Sequence, residues 1–156
     1  MRKSAGILVY RKKDKSIEVF LVHPGGPFWK GKEIGAWSIP KGEFTADEDA
    51  LLAARREFKE EIGQEIDGDF IELKSVQQKG GKLVYAWAVE GEIDADKIVS
   101  NTFKQEYPYK SGKWITVPEV DKAAWFSVEE ARQKINPAQV ALLNDLEEKL
   151  KNEKAF

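Results

Sequence analysis

Residues 48–62 read as an amphipathic helix, and this stretch narrows the available folds more than any other part of the chain. Leu51, Ala54, Phe58 and Ile62 fall within roughly 80° of arc at about 100° per residue. One narrow stripe must therefore be buried against a neighbouring layer while the rest of the surface faces away. Asp47 is the predicted N-cap ahead of Glu48 and Asp49, and Gly63 is the natural residue to stop the helix. The last turn, "REFKEEIG", carries Glu57, Glu60 and Glu61 where the macrodipole disfavours negative charge. Carboxylates at these spacings also repel one another by about a few tenths of a kcal/mol per pair. With Leu51 at zero on the helical wheel they lie at roughly 240°, 180° and 280°, on one face away from the apolar stripe. The ordinary reading of such a face is a solvated one. The alternative is a site for a hard divalent cation such as Mg²⁺, which takes carboxylate, water and substrate phosphate oxygens.

The segments around this helix are mostly β-rich. "SAGILVYRK" and "SIEVFLVHP", joined by the charged turn "KKDKS", predict a hairpin. A loop rich in Gly and Trp follows, with a short strand at "AWSI". "DFIELKSVQQ" and "KLVYAWAVEGEI" predict two more strands, residues 94–120 an irregular excursion or ragged hairpin, and "AAWFS" a last short strand. "SVEEARQKI" and "NPAQVALLNDLEEKLK" predict helices, the latter started by Asn136 and Pro137 as N-cap and first helical residue. Its residues Val140, Leu143, Leu146 and Leu150 form a packing face, with dimerisation as the minor alternative. Strands interspersed with a few helices predict α/β layers around a mixed sheet. The length of 156 residues suits one domain, 1–156, with a core of its own.

Composition removes several functional classes. Without cysteine, disulfides, thiolate metal sites and cysteine nucleophiles are excluded. A net charge of −2 and a pI near 5.6 give no basic footprint for nucleic acid. No run approaches the roughly eighteen apolar residues of a membrane span, and the N-terminal "MRKSAGILVYRKKDK" reads as a strand and not a signal peptide. The expected setting is cytoplasmic.

From Gly42 the chain reads "GEFTADEDALLAARREFKEEIGQ": Gly42, five residues, Glu48, seven residues, then Arg56, Glu57, Phe58, any residue, Glu60, Glu61, any residue, Gly63. These eight positions in 22 residues resemble the signature of the Nudix hydrolases. The chain departs only where the family shows an apolar residue after the last glycine and Gln64 stands instead. The resemblance implies an α/β/α sandwich with a mixed sheet and hydrolysis of a nucleoside diphosphate linked to another group. It implies that Glu57, Glu60 and Glu61 bind Mg²⁺ (Mn²⁺ being a possible substitute), that Arg56 orients them, and that Glu48 partners Arg56. Gly42 would let the loop turn sharply through a positive φ. In some branches the general base lies in the motif helix and in others in a later loop. "EVDKAAWF" resembles the segment of diadenosine tetraphosphate hydrolases in which an acidic residue stands six positions before a Trp; here these are Glu119 and Trp125. Glu106 is the competing loop carboxylate.

"WSIPKGE" resembles the approach to the motif in hydrolases of dinucleoside and diphosphoinositol polyphosphates, which places Lys41 near the phosphates. The proline that follows the motif in ADP-ribose hydrolases is missing, and Tyr85 stands a few residues beyond the tyrosine of the dinucleoside branch. Lys79, Lys82, Lys30 and Lys32 are candidates for phosphate contact, and Phe28, Trp29 and Tyr85 for base stacking. Trp87 and Trp125 are assigned to packing. His23, the lone histidine, is a lesser candidate for substrate contact. The leading expectation is asymmetric hydrolysis of diadenosine tetraphosphate to ATP and AMP. A nucleoside triphosphate or diphosphoinositol polyphosphate hydrolase, and a non-catalytic nucleotide sensor, are the alternatives. The oligomeric state is open.

Overall fold

The architecture is organised on β1 (Lys3–Lys13), whose residues from Ser4 to Tyr10 are all buried. The computed structural model describes residues 2–154. Because successive side chains of a strand point to opposite faces, Ala5, Ile7 and Val9 enter one apolar cluster while Leu8 and Tyr10 enter another. A strand buried on both faces needs a covering layer on each side. The first layer is α1 (Ala50–Ile62), through Ala54, Phe58 and Ile62. The second is formed by α2 (Val128–Lys134) and α3 (Val140–Lys154), through Ala131, Leu142, Leu143, Leu146 and Leu150. The result is the α/β/α sandwich expected from the sequence.

The sheet is mixed. β1 runs parallel to β6 (Leu83–Glu90) and antiparallel to β2 (Ser16–Pro24), which in turn pairs antiparallel with β9 (Val120–Ser127). The segment "DFIELKSVQQ" does not form one strand. It is divided into β4 (Ile71–Glu72) and β5 (Val76–Gln77), both on β6. Between them the Lys74 N–H donates to the Asp145 carboxylate of α3 at 2.8 Å, so the backbone leaves the ladder. The expected strand at "AWSI" shrinks to isolated bridges from Ser38 to Val22 and from Trp37 to Ile135. "AAWFS" is the end of the longer β9. The ragged region resolves into a separate antiparallel pair, β7 (Thr102–Glu106) and β8 (Trp114–Pro118). Asn136 caps a 3₁₀ turn at Pro137–Gln139 that leads into α3, so the cap lies one turn earlier than the α-helix proper.

One feature of the pairing creates the site. β1 pairs with β2 over Tyr10–Lys13, but over Ser4–Gly6 its antiparallel partner is β3 (Lys41–Glu43). The chain passes from its bridge to β2 at Ser38 to its bond with β1 at Lys41 within three residues. A cleft opens where the partner changes.

Candidate active site

Asp49, and not Asp47, caps α1: its carboxylate accepts the Leu52 N–H at 3.1 Å. Glu48 is thereby free for Arg56, which donates to its two carboxylate oxygens at 3.0–3.2 Å. The same guanidinium donates to Glu57 at 2.9 Å and to Glu60 at 3.4 Å. Arg56 therefore offsets the repulsion along this face with one multidentate cation. At the C-terminus Gly63 takes φ 75° and its N–H bonds the Lys59 carbonyl at 2.8 Å. Two further carbonyls find donors in the next connection: Val99 N–H reaches Ile62 at 2.8 Å and Asn101 N–H reaches Glu60 at 2.9 Å.

β3 lies against this helix end. Gly42 does not adopt positive φ; it is an extended residue paired with Ala5. Its role is space, because a Cβ there would overlap the Glu57 carboxylate. Glu61 also differs from its expected position on a non-buried face. It is only 8% exposed, and its Oε2 has no hydrogen-bond partner among the described residues. Its wheel position, about 20° from that of Ala54, sets it at the edge of the apolar stripe, and the Lys41 segment covers it.

Lys41, Gly42, Lys82, Glu57, Glu60 and Glu61 line one cavity of about 450 Å³, together with Asn101 and Glu119. Burial, joined by repulsion from Glu57 and only partly relieved by Lys41, pushes the Glu61 carboxyl up to about 9. Burial raises Glu57 too, with Arg56 opposing and Glu60 adding to the shift. Burial likewise raises Glu119, against the attraction of Lys41. Lys41 moves the other way: burial, with repulsion from Lys82, lowers its ammonium to about 8. The backbone of Glu119, just ahead of β9, is fixed from both sides, its N–H bonded to Asn101 O at 2.9 Å and its carbonyl accepting from Gly25 N–H at 3.1 Å.

Other candidates lie elsewhere. Glu106 is occupied in its own hairpin, accepting from Lys110 N–H and Gly112 N–H at 3.1 and 3.0 Å. Lys79 is exposed beside the Gly80 turn and does not line the carboxylate cavity. Tyr85 packs against Phe44 and borders a separate groove near the start of α1, at the opposite end from the glutamates. Lys30 is exposed and Lys32 sits over the Phe28 ring. His23 is buried, its Nδ1 2.9 Å from the Asp121 carboxylate and its Nε2 2.6 Å from the Lys32 carbonyl, so it anchors the loop. Trp125 packs edge-on to Phe20 and donates to Ile93 O at 3.0 Å. Asn101 was not identifiable from sequence, since its place depends on the β7 connection covering the helix end.

The donor set suits a hard cation. Oxygen ligands predominate, and a buried carboxylate oxygen without a partner is an acceptor waiting for a positive charge. Among the described residues no three acidic groups converge on one ready-made ion position. An ion here would rely on one or two carboxylates, water and the phosphates of a ligand, as Mg²⁺ commonly does.

No curated protein matches the sequence. Among solved structures, the C. elegans Ap4A hydrolase in a binary complex superposes with a TM-score of 0.67 at 22% identity, covering 96% of this chain and 98% of that one. A mutT/nudix family protein from Listeria innocua gives 0.64 at 15% identity, covering 99% and 96%. The NUDIX domain of Shewanella oneidensis NrtR, complexed with ADP ribose, gives 0.64 at 14% identity, covering 95% and 87%. These likenesses establish the fold. The family model of the NUDIX domain matches residues 1–146, and on that match, with the motif carboxylates gathered as described, the chain belongs to the Nudix family of pyrophosphohydrolases.

Proposed function

We propose that the protein is a Mg²⁺-dependent hydrolase of dinucleoside polyphosphates, cleaving a phosphoanhydride asymmetrically, with diadenosine tetraphosphate giving ATP and AMP as the reference reaction. The observation that carries this reading is the pairing of the acidic helix end with Lys41 and Lys82 round one cavity. Carboxylates alone would repel a polyphosphate; the two ammonium groups supply attraction for its outer oxygens. Divalent ions, when bound by Glu57, Glu60 and Glu61, neutralise phosphate charge and lower the pKa of an attacking water.

The chain's own groups do the rest. Arg56 holds Glu57 and Glu60 in place against their mutual repulsion. Glu119, on a backbone fixed from both sides, accepts the proton of the attacking water. Water adds to phosphorus, the anhydride P–O bond breaks, and the leaving phosphate takes the electron pair. The presence of all three motif glutamates with Arg56 favours catalysis over a sensor, which has no need to keep them.

The test is anion-exchange analysis of products after incubation with Mg²⁺ and diadenosine tetraphosphate, beside ADP-ribose, nucleoside triphosphates and a diphosphoinositol phosphate. Equal ATP and AMP, formed faster than any other product, is the expected result. Faster turnover of ADP-ribose, a nucleoside triphosphate or the diphosphoinositol phosphate would refute the assignment to dinucleoside polyphosphates. Binding of a non-hydrolysable analogue without any turnover would favour the sensor.

A further inference from the structure

A second cavity of about 240 Å³ adjoins the carboxylate one, sharing Lys41, Glu61 and Glu119 with it. Its volume falls below the roughly 300–1,000 Å³ of drug-sized sites, so it suits one ring system and not a whole nucleotide. Trp29, Ser38, Gln78 and Gln139 line its far wall. Gln139 is fully buried, and its amide orientation is determined twice over. The Ile39 N–H, which can only donate, points at Gln139 Oε1 from 3.1 Å. Ser38 Oγ donates its single hydrogen to the Ile39 carbonyl at 2.7 Å, so it accepts from Gln139 Nε2 at 3.0 Å. Gln139 Nε2 then uses its second hydrogen on Gln78 Oε1 at 2.9 Å. This relay holds Gln78 by its oxygen and leaves Gln78 Nε2 without a partner among the described residues.

We infer that Gln78 is a specificity-determining residue whose amide N–H reads an acceptor on the base of a nucleotide substrate, selecting a 6-oxopurine over a 6-aminopurine. A keto oxygen accepts from Gln78 Nε2 on the far wall, while Lys41, on the shared side, stays with the phosphates. The exocyclic amine of adenine brings a donor to a donor; Gln78 is half-buried in the free protein, and once a ring covers it both donors are left unpaired, which is the source of such discrimination. The two carboxylates of the cavity, Glu61 and Glu119, belong to the wall it shares with the phosphate end. The inference rests on the proposed polyphosphate hydrolysis and narrows it: the diadenosine compound becomes the weaker member of its pair.

The experiment compares diinosine with diadenosine tetraphosphate, which differ at the 6-position of the purine, by kcat/KM for the wild-type protein and for Gln78→Glu. Glutamate keeps the oxygen that Gln139 holds and turns the other end from donor to acceptor. A wild-type preference of at least tenfold for the inosine compound, levelled or inverted in Gln78→Glu with an unchanged melting temperature, is the expected result. Equal kcat/KM in the wild type, or a preference that survives Gln78→Glu, overturns the inference. If neither compound is hydrolysed, the functional proposal falls, and titration calorimetry with inosine and adenosine monophosphates decides the cavity separately. The same tenfold preference, lost in the variant, supports the inference there and equal affinities overturn it.

Discussion

Replacing Glu61 by glutamine removes a carboxyl that the metal-free fold holds protonated at neutral pH, at the cost of taking up a proton on folding. The carboxyl is 8% exposed, one oxygen has no partner, and its folded pKa is about 9 against an ordinary value of 4.5. Between these values the unfolded chain binds fewer protons at this group than the folded one, so stability falls as pH rises. Below pH 4.5 the group is neutral in both states and costs nothing. At pH 7 the difference of 2.5 units, at about 1.36 kcal/mol each, corresponds to a cost of roughly 3 kcal/mol. Glutamine keeps the shape and needs no proton uptake, so the variant escapes this cost, less whatever its amide gives up in packing. A net stabilisation of about 1–3 kcal/mol for the metal-free variant is therefore expected at pH 7. Urea denaturation in EDTA at pH 4.5, 7 and 9 measures it, and the advantage should grow along that series. Millimolar Mg²⁺ should stabilise the wild type and not the variant, because a ligand of the folded state acts by mass action. Turnover should be abolished in the variant. A metal-free Glu61→Gln protein less stable than wild type at pH 7, or a difference independent of pH, would refute the reasoning. An active variant would refute the ligand assignment.

Gly42→Ala places a methyl group on the Glu57 carboxylate and should lower kcat by about two orders of magnitude, since misplacement of about 1 Å can cost that much; steady-state kinetics with a thermal melt separates this from unfolding. Lys41, lowered to about 8, loses its charge as pH rises through that value. KM should therefore rise above pH 8 in the wild type and stay flat in Lys41→Arg, measured from pH 6.5 to 9.5. Glu119→Gln should cut kcat by about 10²–10⁴-fold, the usual range for a general base. Glu106→Gln should leave kcat within about threefold and cost at most roughly 1–2 kcal/mol from the two turn N–H groups it accepts.

The parts of this molecule that were legible in sequence are those written in local spacing. Ala54, Phe58 and Ile62 are buried as their period requires, and Gly63 ends the helix in the left-handed conformation. Leu51 is half-buried, bordering the groove beside Tyr85, while Ala53 is fully buried, so the buried stripe is rotated from the one the period predicts. Apart from the cap of α1, which is Asp49 and not Asp47, the misreadings involve a partner distant in sequence. Asp145 draws Lys74 out of a strand 71 residues away, and Asn101 closes the end of α1 from 41 residues beyond Glu60. Gly42 was expected to serve a turn because glycine is conformationally free. In the fold its missing side chain matters instead, since Glu57 occupies that volume.

The same distinction bears on chemistry against specificity. The carboxylates that bring a phosphate to water occupy one helix turn, so a periodic reading finds them. The wall of the neighbouring cavity takes Ser38 from one connection, Gln78 from a turn and Gln139 from the approach to α3, separated by 40 and 61 residues. Each alone is an ordinary polar residue. Only the change of partner along β1, from β2 to β3, and the packing of α3 on the opposite face bring them together. A reaction type can therefore be written in one short helix while the base it acts on is set by residues that no local pattern connects. For this chain that places the test of substrate identity at Gln78 and the test of chemistry at Glu61, and the two are separable by experiment.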